Sequence, residues 1–242
     1  MRGTTRRQQA STTGCPSWVP ADDAASLLAW ISPRQASSLT MAGGFVSSAA
    51  DVTGNGWDVT QATAGRQPVL GAINGHNALL FDGIDDEMRS TFSGTITGQP
   101  LTTVTVWRYL GAAALAWMYV GGTQGASLYM SADGLFRFES GSPAYVTGVA
   151  LNDIHVSIGV AATAPAGAFW IDGAPSSDNS EANGAAGLGQ FGTLGWNGIR
   201  LGHSKFNAHW SNVLIGDHLV FNADLSAKEC SITQWARDLY AF

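Results

Sequence analysis

From about residue 69 onward, apolar and polar residues alternate with a period of two, and turn residues interrupt the alternation at short intervals. The clearest runs lie at 101–110, 126–140, 153–162 and 167–173. Because successive side chains of a β-strand point to opposite faces, this alternation is typical of strands in a sheet. In the second run, Asp133-Gly134 stands between two alternating segments, which is a strong signal for a β-hairpin. The pattern predicts an all-β fold of short antiparallel strands.

Composition agrees with short strands joined by many turns, since the 242 residues include 30 Gly and only 12% are charged. A chain of this length is commonly one all-β domain. We expect that domain over residues 25–242, preceded by a partly extended N-terminal arm over residues 1–24. Near the C-terminus, Ser226 and Glu229 form a capping-box pattern. Apolar residues then recur at helical spacing, which predicts one short terminal helix.

Charge argues against nucleic acid as a partner, because the net charge of −6 includes no evident basic surface. The exception is the N-terminal arm, which carries Arg2, Arg6 and Arg7 and almost no apolar residues. Such a segment is either a disordered tail or an arm that becomes ordered on a larger assembly. No apolar stretch typical of a signal peptide follows it, and no run approaches the roughly 20 apolar residues of a membrane helix. We therefore expect a protein made in the cytoplasm, with no membrane insertion.

The two cysteines, Cys15 and Cys230, lie near opposite ends of the chain and match no metal-ligand spacing. A disulfide between them would join the two termini. A reducing cytosol disfavours such a bond, so the sequence favours free thiols.

A set of motifs runs through most of the chain. It comprises Gly54-Asn55-Gly56, Gln61, Pro68, the segment FDGIDD from Phe81, the Gly202-His203 pair, and a closing strand before an LS…E helix start. In this order the motifs resemble laminin G-like modules of the concanavalin A-like lectin superfamily, over residues 25–242. The resemblance implies a jelly-roll sandwich of two antiparallel sheets. It also implies that, in the members that bind sugars, the ligand lies on the concave face or on rim loops near a calcium ion.

The acidic segment 81–87 is the candidate for catalysis. Its four carboxylates are Asp82, Asp85, Asp86 and Glu87. A retaining glycosidase needs two carboxyl groups about 5–5.5 Å apart. The glycosidases of the superfamily that this chain resembles place theirs at alternate positions of one strand. Here alternation separates Asp86 from Asp85 and Glu87, and Arg89 would pair with Glu87 and lower its pKa, which does not suit a general acid. We therefore expect no catalytic residues and a chain that is not an enzyme.

Two other interpretations of this segment stay open. Calcium takes six to eight oxygen ligands, which Asp82, Asp85 and Asp86 could supply together with Asn55. Alternatively, Asp82 and the following glycine reverse the chain while Asp85 caps backbone N–H groups. Calcium is the one cofactor that the sequence leaves open.

Tryptophan placement suggests a ligand surface. Most of the tryptophans lie in alternating strands and are predicted to be core residues. Trp57, Trp196 and Trp210 lie instead beside Gly and Asn in predicted loops. With Asn197, they are candidates for stacking on a sugar ring or for anchoring a protein contact.

These features favour a structural or binding module. A sandwich of this kind with a basic arm suits a phage virion component, such as a capsid decoration, head-fibre or tail-fibre protein, assembled in the host cytoplasm. Its partners would be capsid or tail proteins, contacted through Arg2, Arg6 and Arg7, together with cell-surface glycans. Exposed sheet edges favour a homo-oligomer. The alternative is a bacterial glycan-binding module located at the cell surface or outside the cell, and a glycoside hydrolase of the same fold is the weakest option.

Overall fold

The computed structural model describes residues 14–90, 100–111, 116–120, 127–131, 134–140, 142–162, 167–176, 198–203 and 210–242. Its strands are β1 Leu27–Ile31, β2 Leu39–Ala42, β3 Phe45–Ala49, β4 Val59–Thr60, β5 Val69–Ile73, β6 His76–Asp82, β7 Met88–Arg89, β8 Leu101–Tyr109, β9 Ala116–Val120, β10 Ser127–Met130, β11 Phe136–Ser140, β12 Ser142–Val146, β13 Ile154–Ala161, β14 Ala168–Ile171, β15 Ala174–Pro175, β16 Arg200–Leu201 and β17 Asn212–Phe221. The helix α1 spans Glu229–Tyr240, and 3-10 turns lie at Pro20–Asp23, Ala36–Ser38, Ala64–Arg66 and Ser226–Lys228.

The strands form two layers, and every strand pair in the described residues is antiparallel. The layer that we call the β17 sheet runs β5-β6-β17-β8-β13-β14-β15, with β1 beside the second half of β17. The β7 sheet runs β2-β3-β4-β7-β16-β9-β10-β11-β12. The layers meet at one edge, where Phe45 pairs with Val69. The predicted all-β sandwich with one short C-terminal helix is confirmed.

The β17 sheet is buried on both faces, and β8 shows how its sequence achieves this. Leu101 and Trp107 point toward the β7 sheet and pack in the core between the layers. Val104 and Val106 point to the opposite face, which α1 covers. The helix contributes side chains at helical spacing to this second cluster, which places one apolar stripe against the sheet; they are Ile232, Ala236 and Tyr240.

The residues before β1 pack against α1. Trp18 is buried in the same cluster as the helix, and its indole N–H donates to Asp23 at 2.7 Å. Cys15 is joined to Cys230 by a disulfide, with Cα atoms 5.8 Å apart. The expectation of free thiols is therefore corrected, because the fold brings Cys15 beside helix α1, which carries Cys230, on the outer face of the β17 sheet. Of the predicted N-terminal arm, residues 14–24 belong to this packing, whereas residues 1–13 lie outside the described residues.

The terminal helix starts without the predicted capping box. Ser226 belongs to a 3-10 turn, and its N–H donates to Asp224 Oδ1 at 2.8 Å. Glu229 is the first residue of α1, and its Oε1 accepts a hydrogen bond from Thr233 at 3.1 Å. In the part of the chain that the structure describes, no helix has the length and apolar character needed to cross a membrane.

Candidate functional site

Glu87 is a buried carboxylate on the outer side of the β7 sheet. Met88, the first residue of β7, is fully buried in the core, so its neighbours Glu87 and Arg89 face outward. Glu87 is nevertheless only 4% exposed. Its N–H donates to the carbonyl of Arg66 at 3.1 Å, and Gln61 Nε2 donates to its carbonyl at 3.2 Å. These bonds hold the segment before β7 against neighbouring loops.

Three guanidinium groups and one imidazole surround this carboxylate. Arg66 Nη1 lies 3.7 Å and Arg89 Nη2 lies 4.0 Å from Glu87 Oε1. Arg200 Nε lies 3.7 Å and His203 Nδ1 lies 3.5 Å from Glu87 Oε2. What we call the arginine site consists of Glu87, these four residues and Trp210, which is described below.

Strand pairing places two of the arginines directly opposite each other. Arg89 of β7 is the register partner of Arg200 of β16. Direct partners lie on the same face with Cβ atoms roughly 4.5–5.5 Å apart, and like charges at such positions are destabilising. Burial lowers the pKa of Arg200, and Arg89 lowers it further, whereas Glu87 acts in the opposite direction. The pairing therefore concentrates positive charge at this point of the sheet.

Glu87 acts as an ionised counter-ion. His203, followed by Arg200 and Arg89, holds the pKa of Glu87 below its usual value, although burial opposes this. The predicted effect of Arg89 on Glu87 is confirmed, and a carboxyl with a lowered pKa does not suit the role of a general acid at neutral pH. The ion contacts are longer than a typical hydrogen bond. Within the described residues, Glu87 Oε2 and His203 Nδ1 are buried without a hydrogen-bond partner.

Trp210 lies beside His203 in this site. The two rings stack with centroids 3.8 Å apart at an interplanar angle of 26°, and the two residues form a β-bridge. The guanidinium of Arg66 lies 5.8 Å from the Trp210 ring centre, within cation–π range. Gly202 precedes His203 with a φ of +81°, and a Cβ there would collide with the Phe81 ring, so this position requires glycine. One predicted ligand-binding tryptophan therefore lies within a charged cluster.

The other predicted ligand-binding residues are not part of the arginine site. Trp57 is 6% exposed and packs in the core between the sheets. Its candidacy is corrected, because a ring enclosed by the core has no free face on which a sugar could stack. Trp196 and Asn197 lie outside the described residues, as do Arg2, Arg6 and Arg7.

The turn after β6 brings three aspartates together. Carboxylate oxygens of Asp82, Asp85 and Asp86 lie within 4.8 Å of one another. Asp82 Oδ1 accepts the N–H of Ile84 at 2.7 Å, and Asp86 Oδ2 accepts the N–H of Asp82 at 3.1 Å. Asp82 and Asp86 thus accept backbone bonds in the turn, the role that was predicted for Asp85. Burial raises the pKa of Asp86 to about 6, and the charges of Asp82 and Asp85 contribute.

Asn55 does not join the three aspartates. Its Nδ2 donates to the carbonyl of Leu28 at 3.0 Å, in β1, which pairs with β17 near Phe221. Asp82 pairs with Asn212, at the other end of the 10-residue strand β17. At about 3.3 Å per residue the two ends of β17 are about 30 Å apart. The predicted calcium ligand set is corrected accordingly: any ion at this turn would be held without Asn55.

No protein-family model matches the sequence, and no curated protein sequence matches it. Solved structures do match. A Trypanosoma rangeli sialidase in complex with sialic acid aligns with a TM-score of 0.64 at 16% identity, covering 95% of this chain and 36% of the sialidase. The binding domain of Paraclostridial Mosquitocidal Protein 1 aligns with a TM-score of 0.58 at 12% identity, covering 89% of this chain and 53% of that protein.

These matches correct the expectation that the chain is not an enzyme. The matched structures include sialidases, which are enzymes, so the lack of a paired-carboxylate motif does not separate this chain from enzymes that contain the same fold. The chain spans little more than a third of the sialidases' length. At this level of identity the likeness shows the fold, a lectin-like β-sandwich that occurs both in enzymes and in binding domains.

Proposed function

We propose that the chain binds glycans at the arginine site, on the outer face of the β7 sheet. The observation that carries the proposal is the Trp210–His203 stack beside three arginines. Sugar rings have apolar faces that pack on aromatic rings, and their polar edges take hydrogen bonds from a few well-placed polar groups. Trp210, which is partly exposed beside His203, would supply the aromatic surface, and Arg66, Arg89 and Arg200 would supply N–H donors.

The comparisons support this proposal through the fold. One matched protein is a sialidase bound to sialic acid, and another is described as a binding domain. The proposal includes two statements: that this chain binds carbohydrate, and that it is one of the laminin G-like modules that its motifs resemble.

A glycan array tests the proposed function. The full chain should bind a subset of glycans, and Trp210→Ala should lose most of that binding because the stacking surface is gone. Ile84→Ala is the matched control, since Ile84 is an apolar residue that is 72% exposed in the neighbouring aspartate turn. Thermal unfolding of both variants separates loss of binding from loss of folding. Absence of binding across the array, or full binding by Trp210→Ala, would overturn the proposed function.

The virion role is the second candidate, and the basic arm favours it. In this proposal Arg2, Arg6 and Arg7 contact capsid or tail proteins, and the sandwich, as a homo-oligomer, displays its glycan-binding face. The disulfide supports a location on a virion surface or outside the cell, since such bonds persist in oxidising surroundings.

Deleting residues 2–13 tests the arm, because this deletion keeps Cys15 and Trp18 in place. We expect an unchanged unfolding temperature, together with loss of co-sedimentation with the particles that carry the protein. Retained co-sedimentation would exclude the arm as the attachment segment.

A further inference from the structure

The arginine site holds more positive charge than its own carboxylate balances. Arg66, Arg89 and Arg200 stay charged at all physiological pH values, whereas Glu87 supplies a single negative charge. Two positive charges are thus left unbalanced. This is unusual in a chain whose 18 acidic residues outnumber its 12 basic ones.

The positive groups lie nearer to solvent than the negative one. The side chain of Arg89 is 53% exposed, that of Arg66 is 46% exposed and that of Arg200 is 22% exposed, whereas that of Glu87 is 5% exposed. A ligand approaching the outer face of the β7 sheet therefore meets guanidinium groups first. Glu87 lies beneath them as a fixed counter-ion.

The strand pairing fixes the positions of the guanidinium groups, and these groups do not form short hydrogen bonds with Glu87. Arg89 and Arg200 are fixed opposite each other by the β7–β16 pairing. Their contacts with Glu87 measure 4.0 and 3.7 Å, longer than a charge-assisted hydrogen bond of roughly 2.7–2.9 Å. Planar guanidinium groups match planar carboxylates with two parallel N–H···O bonds, so two facing arginines suit such a group.

The neighbouring aspartates do not pair directly with these arginines. The pKa of Asp86 responds to burial and to Asp82 and Asp85. The pKa of Glu87 responds to His203, Arg200 and Arg89. Among the described residues, the ion pairs of Arg66, Arg89 and Arg200 are made with Glu87, and none is made with the three aspartates.

From these observations we infer that the arginine site selects glycans that carry a carboxylate, held between Arg89 and Arg200 while Trp210 contacts the sugar ring. This inference rests on the proposed function and adds the chemical class of the ligand. The carboxylate would balance part of the unpaired charge and relieve the repulsion between the two arginines.

Calorimetric titration of the full chain tests the inference with matched probes. The pairs are sialyllactose against lactose, and a glucuronic acid disaccharide against its glucose counterpart, with sulfated lactose as a third anion. We expect at least one carboxylated probe to bind ten-fold or more tightly than its neutral counterpart. The pair that shows the difference identifies which acidic sugar supplies the carboxylate.

Two variants assign the effect to the site. Arg89→Gln should reduce the carboxylated probe to the affinity of its neutral counterpart, and Arg89→Lys should restore part of the difference, because it keeps the charge without the planar fork. Arg108→Gln is the control, since Arg108 lies on the opposite side of the sandwich in β8 and donates to the carbonyl of Asn152. Control and test variants should unfold at temperatures close to that of the unmodified protein.

The outcomes separate the inference from the function on which it rests. Equal affinity for neutral and carboxylated probes, or for sulfated and carboxylated probes, overturns carboxylate selection and leaves glycan binding intact. Retention of the preference in Arg89→Gln also overturns the inference. Absence of binding to every probe in this set and in the glycan array overturns the proposed function itself, and the inference with it.

Discussion

Removing the disulfide between Cys15 and Cys230 should lower stability by as much as a large-to-small substitution in the core. The bond joins residues separated by 215 positions. In the chain-entropy account, a cross-link restricts the unfolded chain by an amount that grows with the logarithm of the loop length, which gives about 5 kcal/mol at 25 °C for a loop of this size. We expect Cys15→Ser with Cys230→Ser to lower the free energy of unfolding by up to about 5 kcal/mol.

The contacts around the disulfide should keep the native structure intact without it. The loss of stability should therefore come from the greater conformational freedom of the unfolded chain. The Trp18 ring packs edge-on against Trp235 at 5.6 Å and lies 6.1 Å from Phe221. Its N–H donates to Asp23, whose carboxylate is 2.6 Å from Lys228 Nζ. Because these contacts hold the N-terminal segment on the helix without the bridge, the native structure of the double variant should be retained.

Urea unfolding, followed by tryptophan fluorescence and far-ultraviolet circular dichroism, measures the loss. The oxidised protein, the reduced protein and the double serine variant are compared, and reductant added to the double variant is the control. The reduced protein and the double variant should share one lower midpoint. A double variant within about 1 kcal/mol of the oxidised protein would refute the reasoning, because the predicted entropy term would then be absent.

Three further changes test other buried groups. Tyr240→Phe removes a hydroxyl that donates to Asp217 Oδ2 at 2.8 Å and accepts the Asp217 N–H at 2.9 Å, so urea unfolding should show a loss of about 1–3 kcal/mol. Burial lowers the pKa of His155, but the Asp172 carboxylate at 2.6 Å raises it to a net value above 6.5. The stabilisation by the His155–Asp172 pair is therefore complete below pH 6.5 and is lost as the pH rises through the pKa of His155 in the fold. Calorimetry should show this fall in unfolding temperature with rising pH for the unmodified protein but not for His155→Gln. Asp86 has a pKa of about 6 in the fold against 3.8 as its ordinary value, so its ionisation destabilises the fold, and Asp86→Asn should raise the unfolding temperature at pH 7.5 but not at pH 4. Excess calcium that raises the unfolding temperature of the unmodified protein but not of Asp86→Asn would support the calcium interpretation of this turn, and an unchanged unfolding temperature would exclude it.

The fold was largely predictable because its signal is local. The alternation in 101–110 and 153–162 marks β8 and β13, and the segments flanking Asp133-Gly134 pair as β10 and β11. Strand order was not predictable in the same way. The strand β17 lies between β8 on one side and both β6 and β1 on the other, and these pairings join residues up to about 190 positions apart. The disulfide was missed for the same reason, since nothing near either cysteine indicates that the termini meet.

The arginine site was predictable only in part. Arg89 lies two residues from Glu87, so strand alternation alone predicted that they would pair. Arg66 and Arg200 reach the same carboxylate from a 3-10 turn and from β16, and no local pattern links them. Trp57 and Trp210 show a related limit. Both have small or polar neighbours in the sequence, but tertiary packing buries the first in the core and places the second beside His203.

Arg89 and Glu87 allow a final test in which stability and binding should change in opposite directions. Arg89→Gln removes the repulsion with Arg200, and its contact with Glu87 contributes little because the Arg89 side chain is 53% exposed. We expect the free energy of unfolding to stay constant or to rise by up to about 1 kcal/mol at low ionic strength, with a smaller gain in salt, while carboxylate binding is lost.

Glu87→Gln should instead lower the free energy of unfolding. It leaves the facing arginines without their buried counter-ion, and loss of one partner from a buried ion pair costs about 3–5 kcal/mol, an upper bound here because the arginines are partly exposed. Urea unfolding of the two variants at low and high salt measures both effects. If Arg89→Gln were instead destabilising by more than about 1 kcal/mol, the facing arginines would be a structural element of the β7 sheet. Such a result would remove the argument that a bound carboxylate relieves repulsion between them.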